Sequence, residues 1–157
     1  MRLEIRAIGR MKAGPERDLV DDYLARATAQ ARSLGLGPAQ EREFDPRNLK
    51  DKAAETDALT ADLEPGALII ALDETGKSLR SQDLAELIAT HRDDGTRQAV
   101  FLIGGADGHA RDRLPPGAAL VSFGKATWPH KLVRAMLAEQ IYRAVSIIAG
   151  SPYHREG

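Results

Sequence analysis

An α/β fold with a mostly parallel sheet is predicted by three observations. Strand-like and helix-like segments alternate along the chain. Two of the strand candidates, residues 67–72 and 99–103, are continuous apolar runs, as in strands covered on both faces. Three late strands each run into a glycine-bearing loop, at residues 73–77, 104–108 and 124–130. Ligands of open α/β sheets bind at such carboxyl-end loops.

The elements follow in order. Leu3, Ile5 and Ala7 alternate with Glu4 and Arg6, a short strand that stops at Gly9. Gly14-Pro15 opens a helix, with Pro15 suited to its first turn. Its apolar face is Leu19, Val20, Tyr23, Leu24 and Ala27, and Leu34-Gly35-Leu36-Gly37-Pro38 ends it. Residues 41–44 read as a polar edge strand and residues 51–63 as a second helix. The turn Pro65-Gly66 precedes the apolar strand 67–72. Ser81 is placed to cap a helix reaching Asp93, with Leu84, Leu87 and Ile88 inward. Strands at 99–103 and 119–123 and a final helix at 131–148 complete the chain. Leu132, Val133, Met136, Leu137, Ile141, Val145, Ile147 and Ile148 surround most of that last helix, interrupted by Arg134, Glu139, Gln140, Arg143 and Ser146. A helix so apolar must be buried on two sides. One side is assigned to the sheet and the other to a partner chain, with a twofold homodimer as the default.

Length and composition set bounds on function. A chain of 157 residues is expected to form one domain, and 43% hydrophobic residues supply its core. A net charge of -1 argues against a nonspecific nucleic-acid binder, although Lys125, Lys131, Arg134, Arg143 and Arg155, with His130 and His154, make the last third locally basic. The absence of cysteine removes disulfides and thiolate chemistry and fits a cytoplasmic location. Residues 1–6 hold no apolar run of the kind a secretory signal needs, and no segment has the length of a membrane span.

Several familiar chemistries are disfavoured. The glycines do not follow the first strand in the G-x-G-x-x-G pattern of dinucleotide sites, and the phosphate loop G-x-x-x-x-G-K-[ST] is missing. No G-x-S-x-G elbow occurs, and His91, His109, His130 and His154 lack metal-ligand spacing, so no metal is expected. His91 and His109 read as surface residues, and Trp128 as a stacking platform for a purine or a packing residue. The end of the chain, Ser151-Pro152-Tyr153-His154-Arg155-Glu156, groups an aromatic ring, an imidazole and a guanidinium, which suits proton transfer and anion binding. The plain alternative is a polar tail after a helix stopped by Gly150 and Pro152.

Three motifs narrow the choice: Pro129-His130-Lys131-Leu132-Val133-Arg134, Glu139-Gln140-Ile141-Tyr142-Arg143-Ala144 and Pro152-Tyr153-His154-Arg155-Glu156. Together with Leu72-Asp73 and Ile103-Gly104-Gly105-Ala106-Asp107-Gly108, in this order, they closely resemble the large-subunit ribosomal RNA methyltransferase H family of the SPOUT superfamily. The resemblance implies a SPOUT-type, mostly parallel sheet flanked by helices, a C-terminal deep trefoil knot and a homodimer. It implies S-adenosylmethionine as methyl donor and N3 of a pseudouridine in helix 69 of 23S rRNA, within the assembled ribosome, as acceptor. By motif position, donor contacts fall on Leu72, Gly104, Gly105, Gly124, Lys125, Ala126, Thr127, Trp128 and Pro129. The chain departs from the family pattern at Lys131, where a neutral residue is expected, and at Gly157, beyond the usual Arg-Glu end.

The acceptor nitrogen carries a proton, so a general base is needed, worth roughly 10²–10⁴-fold. His154 is the first candidate and His130 the second. Arg155 or Arg143 would meet phosphate or charge developing on a base carbonyl, and Tyr153 would hold the flipped base. Simpler roles stay open: His130 as a helix cap, Arg143 as the ion-pair partner of Glu139, and Tyr142 as core. Two other functions also stay open, a SPOUT methyltransferase acting on tRNA and a noncatalytic ribosome-associated dimer.

Overall fold

The alternating residues of the first strand divide between two cores. Leu3, Ile5 and Ala7 of β1 (Arg2–Ile8) join one apolar cluster, while Ile8 joins another on the opposite face. This computed structural model describes residues 1–156; Gly157 lies outside the described residues. Four more strands, β2 (Ala39–Phe44), β3 (Leu68–Ser78), β4 (Gln98–Ile103) and β5 (Ala119–Ser122), complete one sheet. Its order is β2-β1-β4-β3-β5, and every neighbouring pair is parallel. The centre is β4, buried at all six positions, as its unbroken apolar run requires. The polar segment expected at the edge is β2, which starts two residues earlier, at Ala39.

Five α-helices accompany the sheet: α1 (Pro15–Ala31), α2 (Lys52–Leu59), α3 (Ser81–Asp93), α4 (His130–Ala149) and the single turn α5 (Tyr153–Glu156). The larger core packs Leu3, Ile5, Ile70 and Phe101 against Val20 and Leu24 of α1, Leu84 and Ile88 of α3, and Leu137, Ile141 and Val145 of α4. The smaller core sets Ile69, Ala71, Val100 and Leu102 against Leu59 of α2. Arg6 faces this second core rather than solvent. It pairs with Glu4 and donates to the carbonyl oxygens of Leu59 (3.0 Å) and Ala61 at the end of α2. A guanidinium there meets unpaired carbonyls and the negative pole of the helix.

Four sequence expectations are corrected. First, α2 runs from Lys52 to Leu59 instead of from 51 to 63, and Asp51 is its cap, accepting from Ala54 N–H at 2.8 Å. Second, α3 is capped by Arg80 with Asp83, and Ser81 instead donates to Gln140 on α4 (2.7 Å). Third, residues 73–77 are not a simple loop. They continue β3 through a register shift, so that both Leu72 and Lys77 pair with Val121. Gly76 permits this, because a Cβ there would lie 2.5 Å from Val121 N and 2.6 Å from Leu120 C. Fourth, Arg134 does not interrupt the apolar face of α4; it is 1% exposed and part of the interior. Much of the circumference of α4 is covered within the chain, by α1 and α3 as well as the sheet. Leu132 is left exposed near its start.

Candidate active site

The carboxyl ends of β3, β4 and β5 meet the first turn of α4 around a cleft of about 280 Å³. Leu72, Ile103, Val121, Phe123 and Val133 give it apolar walls. Main chain supplies much of the rest, from Gly104 to Ala106 and from Gly124 to Thr127. Gly104 is tight: a Cβ would stand 3.0 Å from the backbone of Gly108, which turns back to hydrogen-bond the Gly105 carbonyl at 3.0 Å. Gly124 adopts φ +104°, a conformation that side chains disfavour. Ser122 holds this turn from inside, accepting from Gly124 N–H (3.1 Å) and donating to its carbonyl (2.9 Å). Trp128, 43% exposed, donates its indole N–H to Phe123 O at 3.2 Å. The ring thus spans its own loop and keeps a face toward the cleft.

His130 stands at the rim on the first turn of α4, beyond the cap residue Pro129. Its Nε2 lies 3.0 Å from Gly104 O. A carbonyl can only accept, so Nε2 carries the proton and Nδ1 keeps its lone pair. Partial desolvation, with repulsion from Arg134, outweighs the Gly104 carbonyl and lowers the His130 pKa below 6.5. The ring is therefore neutral near pH 7.

Beneath the β4 loop sits His109, which is not a surface residue: it is 5% exposed. Neither ring nitrogen has a hydrogen-bond partner among the described residues. Burial lowers its pKa, against the opposing pull of backbone carbonyls and Asp73. Arg134, one turn along from His130, anchors the start of α4. It pairs with Glu41 (3.1 Å) and Glu43 on β2, and donates to Gly9 O (3.1 Å) after β1. Arg17 shares both carboxylates.

A second group forms farther along α4, where the tail folds back onto Glu139 and Arg143. Tyr153 donates to Glu139 Oε1 at 3.0 Å, and Arg143 reaches the same carboxylate at 2.7 Å. The Arg143 guanidinium also lies 4.8 Å from the Tyr153 ring centroid and 3.2 Å from His154 Nδ1. Arginine can only donate, so Nδ1 accepts and the His154 proton sits on Nε2; the Gln82 amide nitrogen, 3.0 Å from Nε2, is itself a donor, so that amide pairs with the ring only when turned to present its oxygen. Burial, helped by Tyr23 and Glu139, raises the Tyr153 pKa well above its ordinary value, which keeps the hydroxyl a donor. All three tyrosines gather here around Arg26, whose guanidinium is 4.5 Å from the Tyr142 ring. The Arg143–Glu139 pair read as the simple alternative does form, and the His154 contact forms with it.

The expected site residues thus divide in two. Leu72, Gly104, Gly105, Gly124, Ala126, Thr127, Trp128 and His130 line the cleft, while Lys125 and Pro129 share its loop without lining it. Tyr153, His154 and Arg143 lie together elsewhere, with Arg155 beside them in α5 and exposed. Thirteen residues of α4 separate His130 from Arg143, about 20 Å of helix. Sequence reasoning missed Ile103, Val121, Phe123 and Val133 as walls, because an apolar residue at a strand end reads as core.

An all-parallel sheet with a glycine-lined cleft at its carboxyl ends, closed by the last long helix, defines an α/β protein of the SPOUT class. The family model described as Predicted SPOUT methyltransferase matches residues 1–154. Within that class the chain belongs to the ribosomal RNA large subunit methyltransferase H family. It is 60% identical over 156 residues to the protein of that name from Maricaulis maris, covering 99% of this chain and 100% of that protein. The corresponding proteins of Hyphomonas neptunium and a Ruegeria species are 52% and 49% identical over 155 residues, each covering 99% of both chains.

Proposed function

We propose that this chain, working as one domain, transfers a methyl group from S-adenosylmethionine to N3 of a pseudouridine in helix 69 of 23S rRNA, in the assembled ribosome. The reading is carried by full-length identity of up to 60% to relatives named for large-subunit rRNA methylation. The cleft suits the donor. Its apolar walls accommodate a nucleoside face, and its glycine loops bring main-chain N–H and C=O groups close enough to fix a ligand without long side chains. The donor supplies the methyl on a sulfonium, and the transfer is an in-line displacement in which positioning contributes about 7–11 kcal/mol. The tight turns at Gly104 and Gly124 provide such positioning.

The acceptor nitrogen must lose a proton. His154 takes it, with Arg143 and Arg155 placed to meet phosphate or carbonyl charge and Tyr153 to hold the extruded base. In this chain the His154 lone pair already accepts from Arg143, so the acceptor must displace that contact. His130, whose Nδ1 is uncommitted, is the second candidate. Because the tail meets α4 at Glu139 and Arg143, about 14 to 20 Å along the helix from His130, the tail serves the cleft of a partner in a homodimer. The C-terminal segment forms the trefoil knot of the class, and the enzyme works in the cytoplasm. Among the described residues no helix is long and apolar enough to cross a membrane.

The test is transfer of labelled methyl from S-adenosylmethionine to ribosomes lacking the helix 69 modification, followed by identification of the labelled nucleoside. Label in N3-methylpseudouridine is expected. Label in tRNA alone, or donor binding without transfer to either RNA, overturns the reading.

A further inference from the structure

The two kinds of basic residue do different work in this molecule. Every ion pair among the described residues is made by an arginine. The chain has six lysines, all are exposed, and none pairs with a carboxylate. Their positions are not scattered. Along the carboxyl edge of the sheet, in strand order, come Lys50 and Lys52 on the β2–α2 connection, Lys12 after β1, the Gly104-Gly105 turn after β4, Lys77 at the end of β3 and Lys125 after β5. Lys131 stands above them on the first turn of α4. The opposite edge of the sheet has no lysine.

We infer that these lysines form a phosphate-tracking rim, which brackets the cleft and seats the backbone of a folded RNA so that one base can enter. This rests on the function proposed above. Five strands span about 19 Å, the length of several nucleotides. Lysine is a compact charge on a flexible stem, suited to phosphates whose positions vary, whereas an arginine held by a carboxylate cannot leave it cheaply. Acids on this edge are largely engaged: Asp45 by Arg47, Asp51 by Ala54 N–H, and Asp73 by Thr75 and Arg111. Glu74, Asp107 and Glu55 are not; Glu74 lines the cleft, while Asp107 and Glu55 stand around the neighbouring Gly105 turn. A net charge of -1 is then compatible with RNA binding, because the positive charge is local.

The experiment uses the full-length protein and 70S ribosomes lacking the helix 69 modification, with binding measured by sedimentation from 50 to 200 mM salt. The triple variant Lys12→Gln, Lys50→Gln, Lys52→Gln lies off the cleft walls. Its log–log salt slope is expected to fall by about 2.1 to 2.7, roughly 0.7–0.9 for each lysine. The native chain's advantage then shrinks roughly 20- to 40-fold across that salt range. Donor affinity, measured by calorimetry without ribosomes, stays native and reports correct folding. The matching Lys→Arg triple variant restores the slope, and Arg32→Gln with Arg97→Gln, exposed on the opposite edge, leaves it unchanged. A native slope in the glutamine variant overturns the rim even if methyl transfer proceeds normally. A lysine-dependent slope with no methyl transfer by the native chain supports the rim and overturns the proposed reaction instead.

Discussion

At the residue scale, the interior of this protein relies on a few polar groups whose replacement has a definite sign. Arg134 is fully buried and holds Glu41, Glu43 and the Gly9 carbonyl in one place. Arg134→Met removes the cation and leaves two partly buried carboxylates facing each other. Loss of one partner of a buried pair costs about 3–5 kcal/mol; Arg17 still reaches both carboxylates, so the lower end is expected in a urea titration. His109 gives a pH signature. Its folded pKa is lowered by burial, so the unfolded chain binds the proton more readily. Stability is then complete above pH 6.5 and declines as the pH falls from there through the folded pKa. His109→Leu should flatten the part of the profile below pH 6.5 in urea titrations across that range. Sequence alone placed His109 on the surface, because a histidine within Asp107-Gly108-His109-Ala110-Arg111 reads as a polar loop. The return of that loop across the end of β4 is what buries the ring.

At the element scale, strand and helix order was legible, and the ends of elements were less so. The runs 67–72 and 99–103 suit strands covered on both faces, and residues 68–72 and 99–103 are such strands. The extension of β3 to Ser78 was not legible, because Asp73-Glu74-Thr75-Gly76-Lys77 is composed like a turn. It is strand because β5 lies alongside and Gly76 lets the two backbones touch. Gly76→Ala places a methyl carbon 2.5 Å from Val121 N, with backbone on both sides and no flexible atom to give way. This variant should lower the melting temperature by several degrees and weaken donor binding by at least tenfold, since β5 carries the Ser122–Gly124 wall of the cleft. Gly105→Ala is the contrast: the nearest atoms are the carboxylate oxygens of Glu55, at 2.9 and 3.0 Å, and a side chain can swing away. Its melting temperature should stay near that of the native chain.

At the scale of the whole molecule, the proposed function makes one chain an incomplete catalyst, because its tail contacts α4 at Glu139 and Arg143, about 14 to 20 Å along the helix from His130. A mixed dimer tests this directly. One chain carries His154→Ala with an intact cleft, and the other carries Gly124→Val in the donor loop with an intact tail. Each homodimer should lose transfer, by roughly 10²–10⁴-fold for the missing base. The mixture should regain about half of one native site per dimer pair, because one cleft then meets one good tail. Activity no higher than either parent would show that the tail works in its own chain. Donor affinity of the His154→Ala homodimer should remain native, which separates loss of the base from loss of the fold.

The glycine loops that line the cleft, the parallel sheet and the family could all be read from the chain itself. Periodicity, glycine placement and the three C-terminal motifs are local properties, and local properties survive in one dimension. The division of the candidate site into a cleft and a distant tail could not be read. Pro129-His130 and Tyr153-His154 look like parts of one kit in sequence, yet His130 sits on the first turn of α4 while the tail folds back onto Glu139 and Arg143, farther along the same helix. Nor could sequence show that the ion pairs fall to arginines while the lysines collect along one edge. That sorting depends on which strand ends become neighbours, and the sheet order, decided by packing between residues far apart in the chain, is where it is made.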